Sequence, residues 1–234
     1  MTMKRLFYLL SITFLILQSC SSDSSDNSNN FIGVKLIQVQ FSNGQISTFS
    51  YNGNKLFKIN NSSGGFQKCS YEGEFIRLIE SYNSVNDLIS TTEHFYNNNK
   101  LIRTKQYNPN GSFYGERNYS YNSDSTIILN EVTYNNGNLI EDRNIKLYLN
   151  SQGNIYKQHD LSNGNITNFL YDNKNSPYKN ITGYCNLMFE FNNVIQISDN
   201  SSTSNYSYQY NTENYPISKL NTNIPSETIT YSYE

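Results

Sequence analysis

Apolar residues in this chain occur in short runs, and in many of these runs apolar and polar positions alternate. In the run ITYSY near the end of the chain, Ile229, Tyr231 and Tyr233 alternate with Thr230 and Ser232. A period of two is typical of a strand with one buried and one exposed face. Beyond the N-terminal segment, no stretch of three helical turns shows apolar spacing at the helical period, so we expect essentially no helix.

A tyrosine followed by a short polar turn and an apolar run recurs along the chain. The clearest copies are YNGNKLFKI at residues 51–59, YEGEFIRLI at 71–79 and YNNNKLIRT at 96–104. Looser copies begin at Tyr107, Tyr121, Tyr134, Tyr148, Tyr171 and Tyr210. Asn and Gly in the turns allow the positive φ angles that tight hairpins need. Because a strand-like piece precedes each tyrosine, every unit is predicted to be strand, turn and strand.

This repeat predicts an all-β fold, a single antiparallel meander of roughly 14–18 short strands. Twisted sheets of more than about ten strands usually curl or close, and closure removes unpaired edges. We therefore expect the sheet to be curled or closed into a barrel-like roll with tyrosine and aliphatic side chains inside. The first strand-like run, at residues 34–41, is predicted to pair with the last, at residues 228–234.

Charged residues in the strand-like runs disfavour a barrel that spans a membrane. Lys58, Arg77 and Arg103 lie in the middle of such runs. A lipid-facing strand needs about 9–11 residues with an apolar outer face. We therefore expect an outer surface that meets water.

The N-terminal residues have the pattern of a bacterial lipoprotein signal. Lys4 and Arg5 precede an apolar segment at residues 6–17, which is too short to span a bilayer. The sequence LQSC at residues 17–20 resembles the lipobox, in which the thiol of the cysteine, here Cys20, receives a diacylglyceryl group. A plain signal peptide with an incidental cysteine is the alternative.

These features divide the chain into a lipoprotein signal peptide at residues 1–19, a flexible polar tether at 20–31 and a single β-repeat domain at 32–234. Acyl chains on Cys20, palmitate among them, would make a membrane the first expected partner. We expect anchoring at the outer membrane, and both its periplasmic face and the cell surface stay open.

Charge and cysteine content narrow the other partners. The chain has 17 Lys and Arg against 19 Asp and Glu, and loss of Lys4 and Arg5 with the signal peptide leaves a net charge of −4. Such a surface does not attract phosphate backbones, so nucleic acid is not an expected partner. After lipidation of Cys20 two thiols remain, and an oxidising envelope would let Cys69 and Cys185 form a disulfide. Free buried thiols are the alternative.

No set of residues predicts catalysis, a metal site or a cofactor. His94 lies in a strand-like piece and His159 near a turn, and neither has partners at metal-ligand spacing. We expect both to be solvated at the surface. Two carboxylate pairs are of the kind that glycoside hydrolysis uses: Glu72 with Glu74, and Glu141 with Asp142. Their positions at a turn and a strand end indicate exposed acids instead.

Two resemblances to known proteins accompany these patterns. The Tyr-(Asn/Asp)-x-x-(Gly/Asn) cadence resembles the YD, or Rhs-like, repeat, with Asp at its second position only at Asp172. The whole mature chain resembles a family of Bacteroidota lipoproteins of unknown function with a porin-like fold. The resemblance is carried by Cys20, YDNKNSPYKNI at residues 171–181, YNTENYPISK at 210–219 and the ending ITYSYE. It implies a barrel-like fold and brings no catalytic residue.

We therefore expect a cell-envelope lipoprotein that acts as a non-catalytic binding or structural module, with a glycan or a protein as its ligand. The alternative is an envelope hydrolase whose site is not visible in the sequence.

Replacing Cys20 by Ser is expected to abolish lipid attachment, because the thiol is the group that is alkylated. Mass spectrometry of the N-terminal peptide from membranes should show a diacylated Cys20 in the native protein and none in the variant. Cleavage at another residue, or an unmodified Cys20, would contradict the lipoprotein interpretation.

Overall fold

The protein, described by a computed structural model for residues 33–135 and 137–234, is a closed antiparallel barrel of 16 strands. Residues 1–32, with the predicted signal peptide, Cys20 and the tether, lie outside the described residues. The strands are β1 Leu36–Phe41, β2 Ile46–Asn52, β3 Lys55–Asn61, β4 Phe66–Glu72, β5 Phe75–Tyr82, β6 Leu88–Asn97, β7 Lys100–Tyr107, β8 Phe113–Tyr121, β9 Thr126–Asn135, β10 Asn138–Leu149, β11 Ile155–Asp160, β12 Ile166–Tyr171, β13 Val194–Ser198, β14 Thr203–Tyr210, β15 Pro216–Asn221 and β16 Thr228–Tyr233.

The strands follow one another around the barrel in chain order, so the predicted all-β meander, its strand number and its closure are confirmed. One short helix, α1 at Tyr184–Met188, departs from the expectation of essentially no helix. It has only five residues, which is too short for a helical period to appear in the sequence.

The first and last strands pair, as the alternation in the first and last runs predicts. Val39 pairs with Tyr231 and Phe41 with Ile229 across β1 and β16. Odd-numbered strands start, and even-numbered strands finish, at the end of the barrel where Lys35 bonds to Glu234. We call this the capped end, because the segment between β12 and β13 lies there, and we call the opposite end the far end.

Alternation separates an interior from an outer wall. Two buried clusters line the interior: Leu56, Cys69, Ile76 and Ile181 form one, and Ile127, Leu129, Ile145 and Leu147 form the other. Charged residues pair with one another on the outer wall, with Lys68 opposite both Lys58 and Glu80, and Lys105 opposite both Glu93 and Glu116. Strands β3 to β8 therefore carry charge on the wall where a lipid-facing barrel has an apolar band.

The recurring tyrosines join the two strands of each hairpin at the capped end. Each hairpin, such as β1–β2, turns at the far end and is open at the capped end. There a tyrosine near the finish of the even strand donates its hydroxyl to a backbone carbonyl near the start of the odd strand. Six tyrosines do so over 2.6–3.0 Å: Tyr51 to Leu36, Tyr96 to Ile76, Tyr121 to Leu101, Tyr171 to Ile155, Tyr208 to Val194 and Tyr233 to Pro216.

The two remaining hairpins vary this arrangement. In β3–β4, the hydroxyl of Tyr71 accepts a hydrogen bond from the Leu56 N–H at 3.0 Å and donates one to the Thr182 carbonyl at 3.2 Å. In β9–β10, Leu149 finishes the even strand and supplies no hydroxyl. Five of the tyrosines that open a copy of the sequence repeat therefore share this role, and each hydrogen bond contributes about 1 kcal/mol. Tyr210, which opens another copy, donates to Asp172 instead.

A β-bulge accompanies most of these tyrosines. Beside Tyr51 and Tyr96, the pairing with the next strand shifts by one residue. The next strand then carries an extra residue, and the extra side chains Phe57 and Ile102 are exposed. Bulges of this kind re-aim side chains at the rim of a barrel.

Replacing Thr230 by Pro should destabilise the barrel by about 3 kcal/mol or more, because it removes a donor from the strand that closes the sheet. The Thr230 side chain is exposed, so little packing is lost with it. Ser151→Pro is the matched control, because Ser151 lies in a turn of the same kind as one that already contains a proline. The Asn150 carbonyl accepts from the Gly153 N–H, as the Asn108 carbonyl accepts from the Gly111 N–H, and Ser151 corresponds to Pro109. Urea unfolding should separate the two variants, and equal midpoints would argue against closure through β16.

The buried tyrosines should make the fold sensitive to alkali. Burial, followed by neighbouring tyrosines, raises the pKa of Tyr96 and Tyr121 to about 12, against about 10 in an unfolded chain. The folded state holds these protons more tightly, so their contribution to stability is intact below about pH 10 and falls as the pH rises toward 12. The urea midpoint should therefore be lower at about pH 11 than at about pH 8. Ionisation of all tyrosines near pH 10 in a folded protein would contradict this expectation.

Candidate functional site

The connection between β12 and β13, residues 172–193, closes the capped end of the barrel. Ile181 is 3% exposed and lies in the same cluster as Leu56 and Ile76 from the wall. Tyr178, Tyr184 and Leu187 pack against that cluster, and Phe189 packs against the second one. The 172–193 segment therefore packs against both buried clusters of the interior.

Hydrogen bonds fix this 172–193 segment to turns around the rim. The Thr182 N–H donates to the Asn54 carbonyl at 3.2 Å, and Asn180 donates to the carbonyl of Val34 at 2.7 Å and the hydroxyl of Tyr215 at 2.8 Å. Gly183 has a φ of +74°, and a Cβ there would lie 2.7 Å from the Glu74 carbonyl oxygen. The segment is thus tied to several hairpins at once, and only glycine fits at this point.

Hydrogen bonds fix both ends of the 172–193 segment, with Asp172 at its start and Asn154 binding its last residues. The side chain of Asn154, which is fully buried, accepts from the Phe191 N–H at 2.7 Å and the Asn192 N–H at 3.1 Å. Asp172 accepts hydrogen bonds from the Tyr210 hydroxyl and the Lys174 N–H. The single Asp of the repeat therefore anchors the segment to β14.

The 172–193 segment also brings a carboxyl group into the barrel. Burial raises the pKa of Glu190, and Lys219 on β15 acts against that rise. Burial lowers the pKa of Lys219, and Glu190 raises it in turn. Glu190 also raises the pKa of Tyr178 and Tyr231 after burial itself. An acid and a base thus lie within electrostatic reach of each other among interior tyrosines.

A cavity of about 460 Å³ opens at the far end, on the β1, β14, β15 and β16 side. Its lining includes Phe41, Tyr206, Lys219, Asn221 and Glu227. The Lys219 ammonium lies 4.0 Å from the centre of the Tyr206 ring, and Asn221 donates to the Glu227 carboxylate at 2.8 Å. Aromatic faces beside a cation, an amide and a carboxylate suit a polar ligand with one flat apolar face.

A row of polar side chains crosses the opposite part of the interior. Thr104, Arg117, Glu131 and Arg143 are directly paired from strand to strand, and His94 begins the row opposite Thr104. Glu131 accepts from Arg117 at 2.6 Å and from Arg143 at 2.7 Å. Burial alone would raise the pKa of Glu131, and these two arginines outweigh it, so the pKa lies below its usual range.

The expectation that His94 is solvated at the surface is wrong. Its side chain is 4% exposed and contacts the Thr104 hydroxyl at 3.2 Å. Burial and then the charge of Arg77 lower the pKa of His94 to about 4. The reason is the strand alternation, which places His94 on the same face as Tyr96. His159 lies in β11 opposite Lys146 and is partly exposed.

The other predicted residues stay apart from the cavity. Glu72 and Glu74 are exposed around the β4–β5 turn and face Arg77 and Lys55, at 3.7 and 3.2 Å. Glu141 and Asp142 are exposed on β10. Cys69 and Cys185 are both free and buried, and burial raises the pKa of each to about 11. A disulfide between them stays a prediction.

Sequence reasoning missed the residues of the far-end cavity and the role of the 172–193 segment. The alternation in NYSYQY does place Tyr206, Tyr208 and Tyr210 on one face. Within the described ranges, no group of three or more His, Cys, Asp or Glu residues could hold a metal ion. Nor does any helix in that part of the chain have the length and apolar character needed to cross a membrane.

Comparisons with known proteins show the fold. The sequence matches no family model and no curated protein. A crystal structure of a porin-like protein from Bacteroides vulgatus is 14% identical and aligns over 86% of this chain and 99% of its own, with a TM-score of 0.56. A porin-like protein from Bacteroides uniformis is 12% identical over 81% of this chain and 77% of its own, with a TM-score of 0.41. The chain is thus similar in fold to a Bacteroides porin-like barrel, while the Bacteroidota lipoprotein family and the YD-like repeat stay predictions.

Proposed function

We propose that this protein is a cell-envelope lipoprotein whose barrel binds a glycan in the far-end cavity without chemical turnover. The lining of this cavity is the observation that favours a glycan. Aromatic rings from Phe41 and Tyr206 lie there beside the polar side chains of Lys219, Asn221 and Glu227. Sugar rings have apolar faces that lie on aromatic rings, and hydroxyl groups that bond to amides and carboxylates.

One end of the barrel is filled and the other is open, which supports entry of a ligand from the open end. The 172–193 segment fills the capped end, so a ligand would enter only from the far end. The described chain starts at the capped end, beside Glu234. A lipid on Cys20 would therefore turn the capped end toward the membrane and the cavity away from it.

An envelope location agrees with three features. The N-terminal residues have the lipobox pattern, the fold is similar to that of a Bacteroides porin-like protein, and the outer wall carries charged pairs suited to water. A water-facing barrel on a lipid tether meets soluble glycans more readily than a barrel enclosed by the bilayer.

Tyr206→Ala should weaken glycan binding about tenfold, because it removes the aromatic face beside Lys219. Binding would be measured on an array of neutral, amino and uronic-acid oligosaccharides and then by calorimetry with the best ligand. Tyr148→Ala is the matched control. Tyr148 also lies near lysines, Lys157 at 4.9 Å and Lys146 at 5.2 Å, but it lies outside the far-end cavity. Equal loss in both variants, or no glycan bound by the native protein, would rule out this cavity as the site.

Hydrolysis is the second candidate, and one residue favours it. Glu190 is an interior carboxyl group whose raised pKa suits a general acid. Turnover of any bound glycan that is abolished by Glu190→Gln, with binding retained, would replace the binding module by an enzyme.

A further inference from the structure

Two arginines share one aromatic ring on the outer wall. The guanidinium carbon of Arg77 lies 4.1 Å from the centre of the Phe95 ring, and that of Arg103 lies 4.4 Å from it. The three residues stand side by side on β5, β6 and β7, with Arg103 directly opposite Phe95. Two positive charges are therefore held against the same ring.

These two charges have little counter-charge around them. Within the described ranges, no carboxylate lies within the 4.0 Å ion-pair distance of Arg103, and its Nε is buried without a hydrogen-bond partner. Arg77 has Glu72 at 3.7 Å, and that carboxylate is 82% exposed. A buried donor without an acceptor costs free energy, and a guanidinium cannot lose its proton to avoid that cost. An acceptor from outside the chain would satisfy it.

The fold aims both side chains into a cavity of about 440 Å³, and the exposed carboxylate of Glu72 also lines it. The bulge beside Tyr71 makes Arg77 the extra residue of β5, and its guanidinium is held in place by donating to the His94 carbonyl at 2.6 Å. The Asn98–Asn99 turn forms the rim of the cavity, with both residues at positive φ. The arginines are thus positioned before any ligand arrives.

We propose that this cavity, the Arg77–Arg103 site, binds a phosphate group. Two guanidinium groups that line one cavity suit an anion that offers three or more oxygen atoms and more than one charge. One carboxylate can bridge two arginines, as Glu131 does with Arg117 and Arg143, but it has two oxygen atoms and one charge, so we expect it to bind here more weakly than phosphate.

The place of the site suggests two sources for the phosphate. The Asn98–Asn99 turn lies at the capped end, where the described chain begins, so a tether lipidated at Cys20 would hold the site near phospholipid headgroups. A free phosphate from solution is the other source. The lipid source rests on the proposed anchoring at Cys20, whereas phosphate binding itself does not.

Calorimetry on the full-length chain in neutral detergent tests the site at constant ionic strength. The probes are inorganic phosphate, glycerol 3-phosphate as the free headgroup of phosphatidic acid, and acetate. The monoester keeps three free oxygen atoms and more than one charge. Saturable binding of phosphate, with acetate at least about tenfold weaker, is expected. Tighter binding of glycerol 3-phosphate than of phosphate would assign the lipid source, and the reverse order would assign free phosphate.

Arg103→Gln should weaken phosphate binding about tenfold or more, and Arg103→Lys, which keeps the charge but loses the fork, should fall between that variant and the native protein. Arg77→Gln gives the same test if the first variant does not fold. Lys58→Gln is the matched control, because Lys58 also lies 4.1 Å from a ring centre, that of Phe66, away from the Arg77–Arg103 site. Equal loss in Lys58→Gln, native-like binding in both arginine variants, or acetate binding as tight as phosphate would overturn the proposal.

Discussion

The hydrogen bond from a tyrosine hydroxyl to the backbone of the neighbouring strand is the interaction on which the barrel depends. A hairpin turn fixes its two strands at one end only, and at the other end their backbone groups would fray. In seven of the eight hairpins a tyrosine connects the two strands at that other end. The ring fills the interior and the hydroxyl satisfies a backbone group, so one residue type meets two needs. Seven of the 21 tyrosines serve in this way.

These hydrogen bonds also make the two ends of the barrel unlike. The tyrosines that make these hydrogen bonds lie at the capped end, where Tyr178 and Ile181 of the 172–193 segment pack with Tyr51 and Tyr71. Aromatic rings at the far end, such as Phe66 and Tyr82, stack on each other instead. Polar interior residues such as Glu131, which would be costly alone, are tolerated because paired arginines hold their charge.

The fold could be predicted because its signals are local. Alternation, Asn–Gly turns and the tyrosine repeat each act within one hairpin, and His94 could have been placed by the same alternation with Tyr96. The far-end cavity could not be predicted, because β-bulges reverse the alternation. Pro216 on β15 is buried, so strict alternation along β15 would place the Lys219 side chain on the outer wall. A one-residue shift in the pairing with β14, between Gln209 and Tyr210, places it on the interior face instead. Nor could the 172–193 segment be placed, since its contact between Asn180 and Val34 joins residues 146 positions apart.

The β9–β10 hairpin has no tyrosine hydroxyl to close it, and it differs in this from the other seven hairpins. Each of the others contains its own turn and its own closing bond, and its neighbours contribute only the ladder that any strand edge offers. A gene duplication or deletion that adds or removes one hairpin would leave every remaining closing bond intact. Barrels of this construction can therefore widen or narrow by two strands at a time during evolution, while the segment that fills the capped end must change its length to match.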